Sequence, residues 1–148
     1  MTTHFTSGVT NVGAGSTLGR AKMPAPAKYH VYHNDFDTYL ASDWTITTTE
    51  GGSGNASEAL GDGDGGLLVI TNDDADNDND FLQLTKEGFK YEAGKQLAFN
   101  ARFKTSDADA SDVVMGLQIT DTSPLDVSDG IFFLLTDGST TLTFIVEK

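Results

Sequence analysis

The apolar residues in the C-terminal third of this chain recur with the period of β-strands. Three strand-length apolar runs follow one another there, at Val113–Ile119, Ile131–Leu135 and Leu142–Val146. The first and third runs alternate at period two, which predicts strands with one apolar face each. The second run does not alternate, so we expect both of its faces to be covered. Between the second and third runs, Asp137-Gly138 favours a tight hairpin turn, and the three runs predict consecutive antiparallel strands.

Shorter segments of the same kind precede this region. We predict strands at Trp44–Thr47, Ala56–Leu60, Leu67–Thr71, Phe81–Leu84 and Leu97–Lys104. Leu67–Thr71 does not alternate and is expected to be covered on both sides, whereas Leu97–Lys104 alternates as a strand with one apolar face. No stretch shows a sustained apolar period of 3.6 residues, so almost no helix is expected. Roughly eight or nine short strands separated by turn signals predict an all-β fold, an antiparallel β-sandwich of the jelly-roll type.

The length of 148 residues suits one domain with its own core. The sequence contains no cysteine, which excludes a scaffold held together by disulfides. No apolar run approaches the roughly 20 residues of a membrane-spanning helix. The polar N-terminus lacks the charged and then apolar build of a signal peptide. We therefore expect no membrane partner and no export by that route.

Residues 1–28 differ in composition from the rest of the chain and predict an extended N-terminal arm. They are rich in Thr, Ser, Gly and Ala, and their apolar residues stand too far apart to form a core. Pro24-Ala25-Pro26 favours a stiff, extended link to the body, residues 29–148. We expect a partner to order the arm through contacts with its isolated apolar side chains. These candidate contacts are Phe5, Val9, Val12 and Leu18.

The net charge of −13 is divided unevenly between the arm and the body. Residues 1–34 contain Arg20, Lys22 and Lys28 and no acid, whereas the remaining 114 residues have a net charge of −16. An acidic body repels phosphates, so we expect no nucleic-acid partner. The basic arm suits docking to an acidic protein surface, with its three cations as the charge contacts. The alternative is a terminal segment whose charges have no binding role.

A polar loop with five aspartates is the candidate metal site. Asp74, Asp76, Asp78 and Asp80 have the alternating spacing of a calcium-binding loop. The match with the helix–loop–helix calcium motif fails, because Asn79 stands where glycine is needed and Thr85 where the bidentate Glu is needed. The simpler interpretation is a solvated acidic loop that keeps a β-protein soluble. Calcium is thus the one cofactor with a candidate site, and no cofactor is required by the sequence.

Catalytic signatures are weak in this sequence. A glycosidase needs two carboxylates that face each other across a cleft. No predicted strand carries two acids at positions i and i+2 that could supply such a pair. The three histidines lie within the first 33 residues, and no Gly-x-Ser-x-Gly motif accompanies them. We therefore predict that the protein is not an enzyme.

Aromatic residues concentrate at the start of the body. They are Tyr29, Tyr32, Phe36, Tyr39 and Trp44. Exposed rings of this kind stack on sugars in carbohydrate-binding modules. The alternative is that most of them fill one end of the predicted sandwich, as large apolar groups usually do.

Four stretches of the sequence resemble structural proteins from the virions of marine tailed bacteriophages. They are Phe5–Val12, His33–Glu50, Leu67–Asp73 with the acidic Gly-rich turn before it, and Asp112–Phe133. The resemblance covers most of the chain, lies in framework residues and carries no catalytic signature. It implies a concanavalin-like jelly roll on the particle surface, as a capsid decoration protein or as part of a tail or fibre.

This resemblance implies a non-enzymatic decoration (cement) protein, made in the host cytoplasm and incorporated into the virion. Its arm would dock on the major capsid protein and its body would face solvent. In the proteins that it resembles several more strands follow, whereas this chain ends at Lys148 directly after a predicted strand. The body is therefore expected to be incomplete or to leave an unpaired edge, which favours a homo-oligomer such as a trimer. A tail or fibre component, or a carbohydrate-binding module for host attachment, is the alternative.

Overall fold

A computed structural model describes residues 29–63, 65–72, 75, 77–120, 122–123 and 125–148 of the chain. These residues form seven β-strands and one short 3₁₀ helix, Ala41–Asp43. The strands are β1 (Trp44–Thr49), β2 (Ser57–Leu60), β3 (Leu68–Thr71), β4 (Asn79–Leu84), β5 (Val113–Gln118), β6 (Gly130–Leu135) and β7 (Leu142–Glu147). The predicted all-β fold with almost no helix is confirmed for these described residues.

The described strands form three small sheets. β1 pairs with β4, β2 pairs with β3, and β5, β6 and β7 form a three-stranded sheet in that order. The pairing is antiparallel between β2 and β3 and throughout the three-stranded sheet. Contacts divide the chain into two compact units, one containing β2 and β3 and the other containing β5, β6 and β7. The jelly-roll arrangement stays a prediction.

The three apolar runs at the C-terminal end form β5, β6 and β7, as predicted. In the sheet, Phe133 of β6 lies opposite Met115 of β5 on one side and Phe144 of β7 on the other. Directly opposed residues of antiparallel strands share a face, so the register gathers apolar side chains on one side of the sheet. We call this surface the apolar face; it consists of Val113, Met115, Leu117, Ile131, Phe133, Leu135, Leu142, Phe144 and Val146.

The central strand β6 holds the most deeply buried side chains of its unit. Phe132 and Leu135 are only 3% and 4% exposed, and they lie on opposite faces because they are three positions apart in the strand. This confirms that both faces of the strand are covered at these positions. Phe132 lies opposite Gly116 of β5, where an added Cβ would be 2.7 Å from the Cβ of Phe132. The β6 backbone and the Cβ of Phe132 therefore leave no room for a side chain at position 116.

The connection between β6 and β7 contains the predicted turn. Gly138 has a φ of +74°, and the Ser139 N–H donates to the Thr136 carbonyl at 3.0 Å. This is a β-turn with glycine in the position that needs a left-handed backbone. The Asp137 N–H also donates to Asp112 Oδ1 at 2.7 Å, which ties the turn to the residue before β5. The hairpin connection is longer than two residues, although the turn lies where the sequence indicates.

Two strand predictions are wrong. Leu97–Lys104 alternates but forms no strand, and its Phe99 and Phe103 are 39% and 43% exposed. Alternation is insufficient because a strand also needs a neighbouring backbone to pair with. The segment Leu67–Thr71 does form β3, but Val69 and Ile70 are 39% and 46% exposed, so this strand is not covered on both sides. β3 pairs only with the short β2. Seven described strands therefore stand in place of the eight or nine expected.

The close approach of Phe132 to Gly116 gives the first testable prediction. Gly116→Ala is expected to lower the free energy of unfolding by about 1–3 kcal/mol, because the added methyl overpacks the sheet at this point. Chemical denaturation followed by fluorescence or circular dichroism measures this loss. Gly63→Ala is the matched control, since the Cβ there would meet only Leu67 at ordinary distances of 3.6 and 3.7 Å. Equal stability of the two variants would contradict the packing described for β5 and β6.

Candidate functional site

A cavity opens on the apolar face of the three-stranded sheet. It has a volume of about 180 Å³ and is lined by Tyr91, Leu97, Phe99, Leu117, Ile131, Phe133 and Phe144. The sheet supplies four of these residues, and the segment that precedes β5 supplies the other three. The Tyr91 phenol is the one polar side-chain group of the lining. Such a cavity suits an apolar or aromatic group rather than a charged substrate.

Aromatic rings follow one another across this cavity. Phe133 lies between Phe99 and Phe144, with ring centroids 6.5 Å and 5.3 Å away. The Phe133–Phe144 pair is a directly opposed cross-strand pair, the contact that stabilises antiparallel sheets most. Phe144 is nevertheless 57% exposed and Val146 is 66% exposed. The apolar face is thus packed at β6 and open to solvent at β7.

A second aromatic group lies in the other unit. The Trp44 ring stacks near Phe36 and meets Tyr32 edge-on, both with centroids 6.3 Å away. Phe36 has an unusual positive φ of 58°, and its N–H donates to Asn34 Oδ1 at 2.8 Å. Three of the aromatic residues that concentrate at the start of the body therefore meet in the structure. Tyr32 of this group is 47% exposed, and Tyr29 is 57% exposed.

Gly66 fixes the turn that carries Phe36. Its φ is +71°, and a Cβ at this position would lie 2.7 Å from both the Phe36 carbonyl carbon and the Asp37 nitrogen. Only glycine therefore lets the Gly-rich turn lie this close to the backbone of residues 35–37. The last glycine of the acidic turn has a packing role within this unit.

Tyr39 is a half-buried member of the predicted aromatic group with a shielded hydroxyl. Its oxygen is buried and makes no hydrogen bond. Burial of the phenol, with the nearby Glu58 carboxylate as the second cause, raises the pKa of Tyr39 above its usual value of 10.0. The neutral phenol is therefore the form that the folded protein favours.

The predicted calcium ligands are described only in part. Asp74 and Asp76 lie outside the described residues. Asp80 Oδ1 accepts a hydrogen bond from the Thr48 hydroxyl at 2.8 Å, and Asp78 Oδ1 accepts one from the Gly51 N–H. The other oxygen of each carboxylate is buried without a partner.

Calcium takes six to eight oxygen ligands, and these two carboxylates offer one unengaged oxygen each. Within the part of the chain that the structure describes, no group of three or more His, Cys, Asp or Glu could hold a metal ion. The hydrogen bonds give the two described acids a structural role, because they link β4 to β1 and to the loop that follows it. The calcium site stays a prediction.

The predicted arm contacts also stay a prediction. Phe5, Val9, Val12, Leu18, Arg20, Lys22 and Lys28 all lie outside the described residues. The cavity, by contrast, is a feature that the sequence did not predict. Leu97 and Phe99 carry a period-two signal for a shared face, which indicates their common direction, but Tyr91 carries no comparable signal.

Comparison with known proteins gives no match: no family model fits the chain, and no curated protein or solved structure is significantly similar to it. In the described part of the chain, no helix is long and apolar enough to cross a membrane. The function has to be inferred from the residues and surfaces described above.

Tyr39→Phe tests the environment of the shielded hydroxyl. Near neutral pH we expect unchanged or slightly higher stability, because the variant removes a buried polar group that has no partner. The folded-state pKa of Tyr39 is raised, so the native protein binds this proton more tightly than the unfolded chain does. The contribution of the Tyr39 proton to the free energy of unfolding is complete below about pH 10, and it is lost as the pH rises through the folded-state pKa of Tyr39.

The loss of stability above pH 10 should accordingly be smaller in Tyr39→Phe than in the unchanged protein. Denaturation curves at several pH values measure the difference. Tyr32→Phe is the control, because the Tyr32 hydroxyl accepts a hydrogen bond from Asn34 at an exposed site. A stability loss in Tyr39→Phe at neutral pH would show that the hydroxyl has a partner after all.

Proposed function

We propose that this chain is a non-enzymatic virion structural protein, a capsid decoration protein that stabilises the head of a tailed bacteriophage. The observation that carries the proposal is the open apolar face at β7. Leu142, Phe144 and Val146 are 41%, 57% and 66% exposed, and Phe144 also lines the apolar cavity. Contiguous apolar surface of this kind marks a site of protein association. An acidic protein that keeps such a face open is suited to an assembled particle.

The charge distribution supports different roles for the arm and for the body. The body is strongly acidic, and Arg20, Lys22 and Lys28 belong to a segment without acids. In this proposal the arm, residues 1–28, lies along the major capsid protein, and the body faces solvent. Binding to the assembled shell stabilises it against disassembly by mass action. The protein would be made in the host cytoplasm and reside on the virion.

Co-sedimentation with capsids that lack this protein tests the proposal. The full chain should pellet with the capsids, and the variant R20A/K22A/K28A should bind at least about tenfold more weakly because each lost ion pair removes part of the docking energy. The chain that begins at Tyr29 should not bind. The matched control is K86A/K90A/K95A, which removes the same charge from exposed positions of the body.

Binding by the control and loss of binding by the arm variant would locate the contact in residues 1–28. Equal binding by both triple variants would remove the arm from the docking role. If the full chain failed to sediment with capsids, the decoration role would be abandoned in favour of a tail or fibre location or of glycan binding.

The exposed aromatic rings favour a second candidate, a carbohydrate-binding module used for host attachment. Tyr29, Tyr32 and Tyr91 are 57%, 47% and 69% exposed, and such rings stack on sugar faces. This function would also suit a tail or fibre component. In a carbohydrate-binding module, calcium bound by the acidic loop would order the sugar-binding site.

A glycan array separates the two candidates. The decoration proposal predicts a silent array for the full chain. Glycan binding that is lost in Tyr32→Ala or Tyr91→Ala, but kept in Leu60→Ala, would instead establish the carbohydrate-binding candidate, since Leu60 is an apolar control as exposed as Tyr32, at 47%. Repeating the array with a chelator shows whether calcium takes part.

A further inference from the structure

The two edges of the three-stranded sheet differ in their exposure. β5, at one edge, has all six residues half-buried, whereas five of the six residues of β7 are exposed. β7 pairs with β6 on one side, and no strand among the described residues pairs with its other side. An edge strand presents unpaired N–H and C=O groups to any strand that approaches. Among the described residues, β7 is therefore the more exposed of the two edge strands of this sheet.

The composition of β7 favours the pairing of this edge with a strand of another molecule. Leu142–Glu147 reads LTFIVE, with β-branched and aromatic residues and one charge. Proteins usually protect exposed edges with lysine, proline or a bulge, but this strand contains neither residue and its pairing with β6 runs without interruption. An edge of this kind adds a strand from another molecule by main-chain hydrogen bonding.

We infer that β7 pairs with β7 of a second copy of this chain, antiparallel and centred on Phe144. In this register Phe144 faces Phe144 of the second copy, and Leu142 faces Val146 of the second copy. The apolar face then continues without a break across both sheets. Glu147 faces Thr141, so no like charges are opposed and no acid faces an apolar residue.

Two registers shifted toward the C-terminus are less favourable. Centring on Ile145 places Leu142 opposite Lys148 and Thr143 opposite Glu147, which sets an ammonium against the apolar face. Shifting by half a step, so that Phe144 faces Ile145, turns one sheet over and places Leu142 opposite Glu147. The β7 sequence is thus self-complementary in the Phe144 register, and this selects a second copy as the partner.

The pairing also continues the aromatic row. Phe99, Phe133 and Phe144 already follow one another at 6.5 and 5.3 Å, and a second Phe144 would stand opposite the first as Phe144 stands opposite Phe133. The cavities of the two copies then lie on either side of the two-fold axis. Such a contact uses the same patch on both molecules and closes at two copies, so this edge gives a dimer rather than a trimer. The inference does not depend on the proposed capsid role.

Single cysteines test the register, because the chain has none of its own. In full-length Phe144→Cys, the two introduced residues face each other about 4.5–5.5 Å apart at Cα, within reach of a disulfide. Mild oxidation should convert most of this variant into a covalent dimer on a non-reducing gel. Leu142→Cys and Val146→Cys should each stay monomeric, since identical positions are then about 13 Å apart along the strands. An oxidised mixture of these two variants should give the covalent heterodimer.

A charge exchange at the axis tests the affinity without covalent chemistry. Sedimentation velocity of the unchanged chain should show a concentration-dependent shift from 15.7 kDa to twice that mass. Phe144→Lys and Phe144→Glu should each weaken the dimer at least about tenfold, because like charges then face each other, and an equimolar mixture should restore it. Ile119→Lys, at a 49% exposed position just beyond β5, should dimerise like the unchanged chain.

Three results would overturn the inference: a chain that stays monomeric at every concentration, equal cross-linking of the Leu142→Cys and Phe144→Cys variants, or a trimer. The cysteine variants keep the test valid if a charge at position 144 prevents folding. Because capsids take no part in these measurements, failure here and failure of the decoration role are separate outcomes.

Discussion

The pairing of β6 with a strand on each side is the interaction on which the best-packed part of this protein depends. It places Phe133 between two aromatic neighbours and Phe132 over Gly116, so one strand supplies the packing on both faces. Its hydrogen bonds to β5 and β7 also fix the register that gathers the apolar face. The surfaces proposed to bind other molecules are consequences of that register.

Local patterns explain why this region could be predicted from sequence. Period-two alternation in β5 and β7, the continuous apolar run of β6 and the Asp137-Gly138 pair are properties of a few consecutive residues, and they predict all three strands to within one residue at each end. Leu97–Lys104 has the same alternation and forms no strand, because pairing depends on a neighbouring backbone that the pattern does not report. The exposure of Val69 in β3 was missed for a similar reason, since coverage depends on distant parts of the chain.

The candidate site was predictable to the extent that its residues are neighbours in sequence. Tyr32, Phe36 and Trp44 lie within thirteen positions of one another, and their rings meet. Tyr91 lines the cavity together with sheet residues that lie more distantly in sequence, and no sequence motif indicates that they share a cavity. The hydrogen bond from the Thr48 hydroxyl to Asp80 likewise joins residues 32 positions apart. The sequence therefore indicates the cluster of acids, but it does not indicate their hydrogen-bond partners.

The fit of Gly66 against residues 35–37 has a mechanical consequence. This contact joins the segment that follows the arm to the residue two positions before β3. A force applied to the chain ahead of Asp35 would reach this contact through the backbone and be shared with the β2–β3 hairpin. The contact at Gly66 would then divide such a force between two segments of the chain, so that neither segment bears it alone.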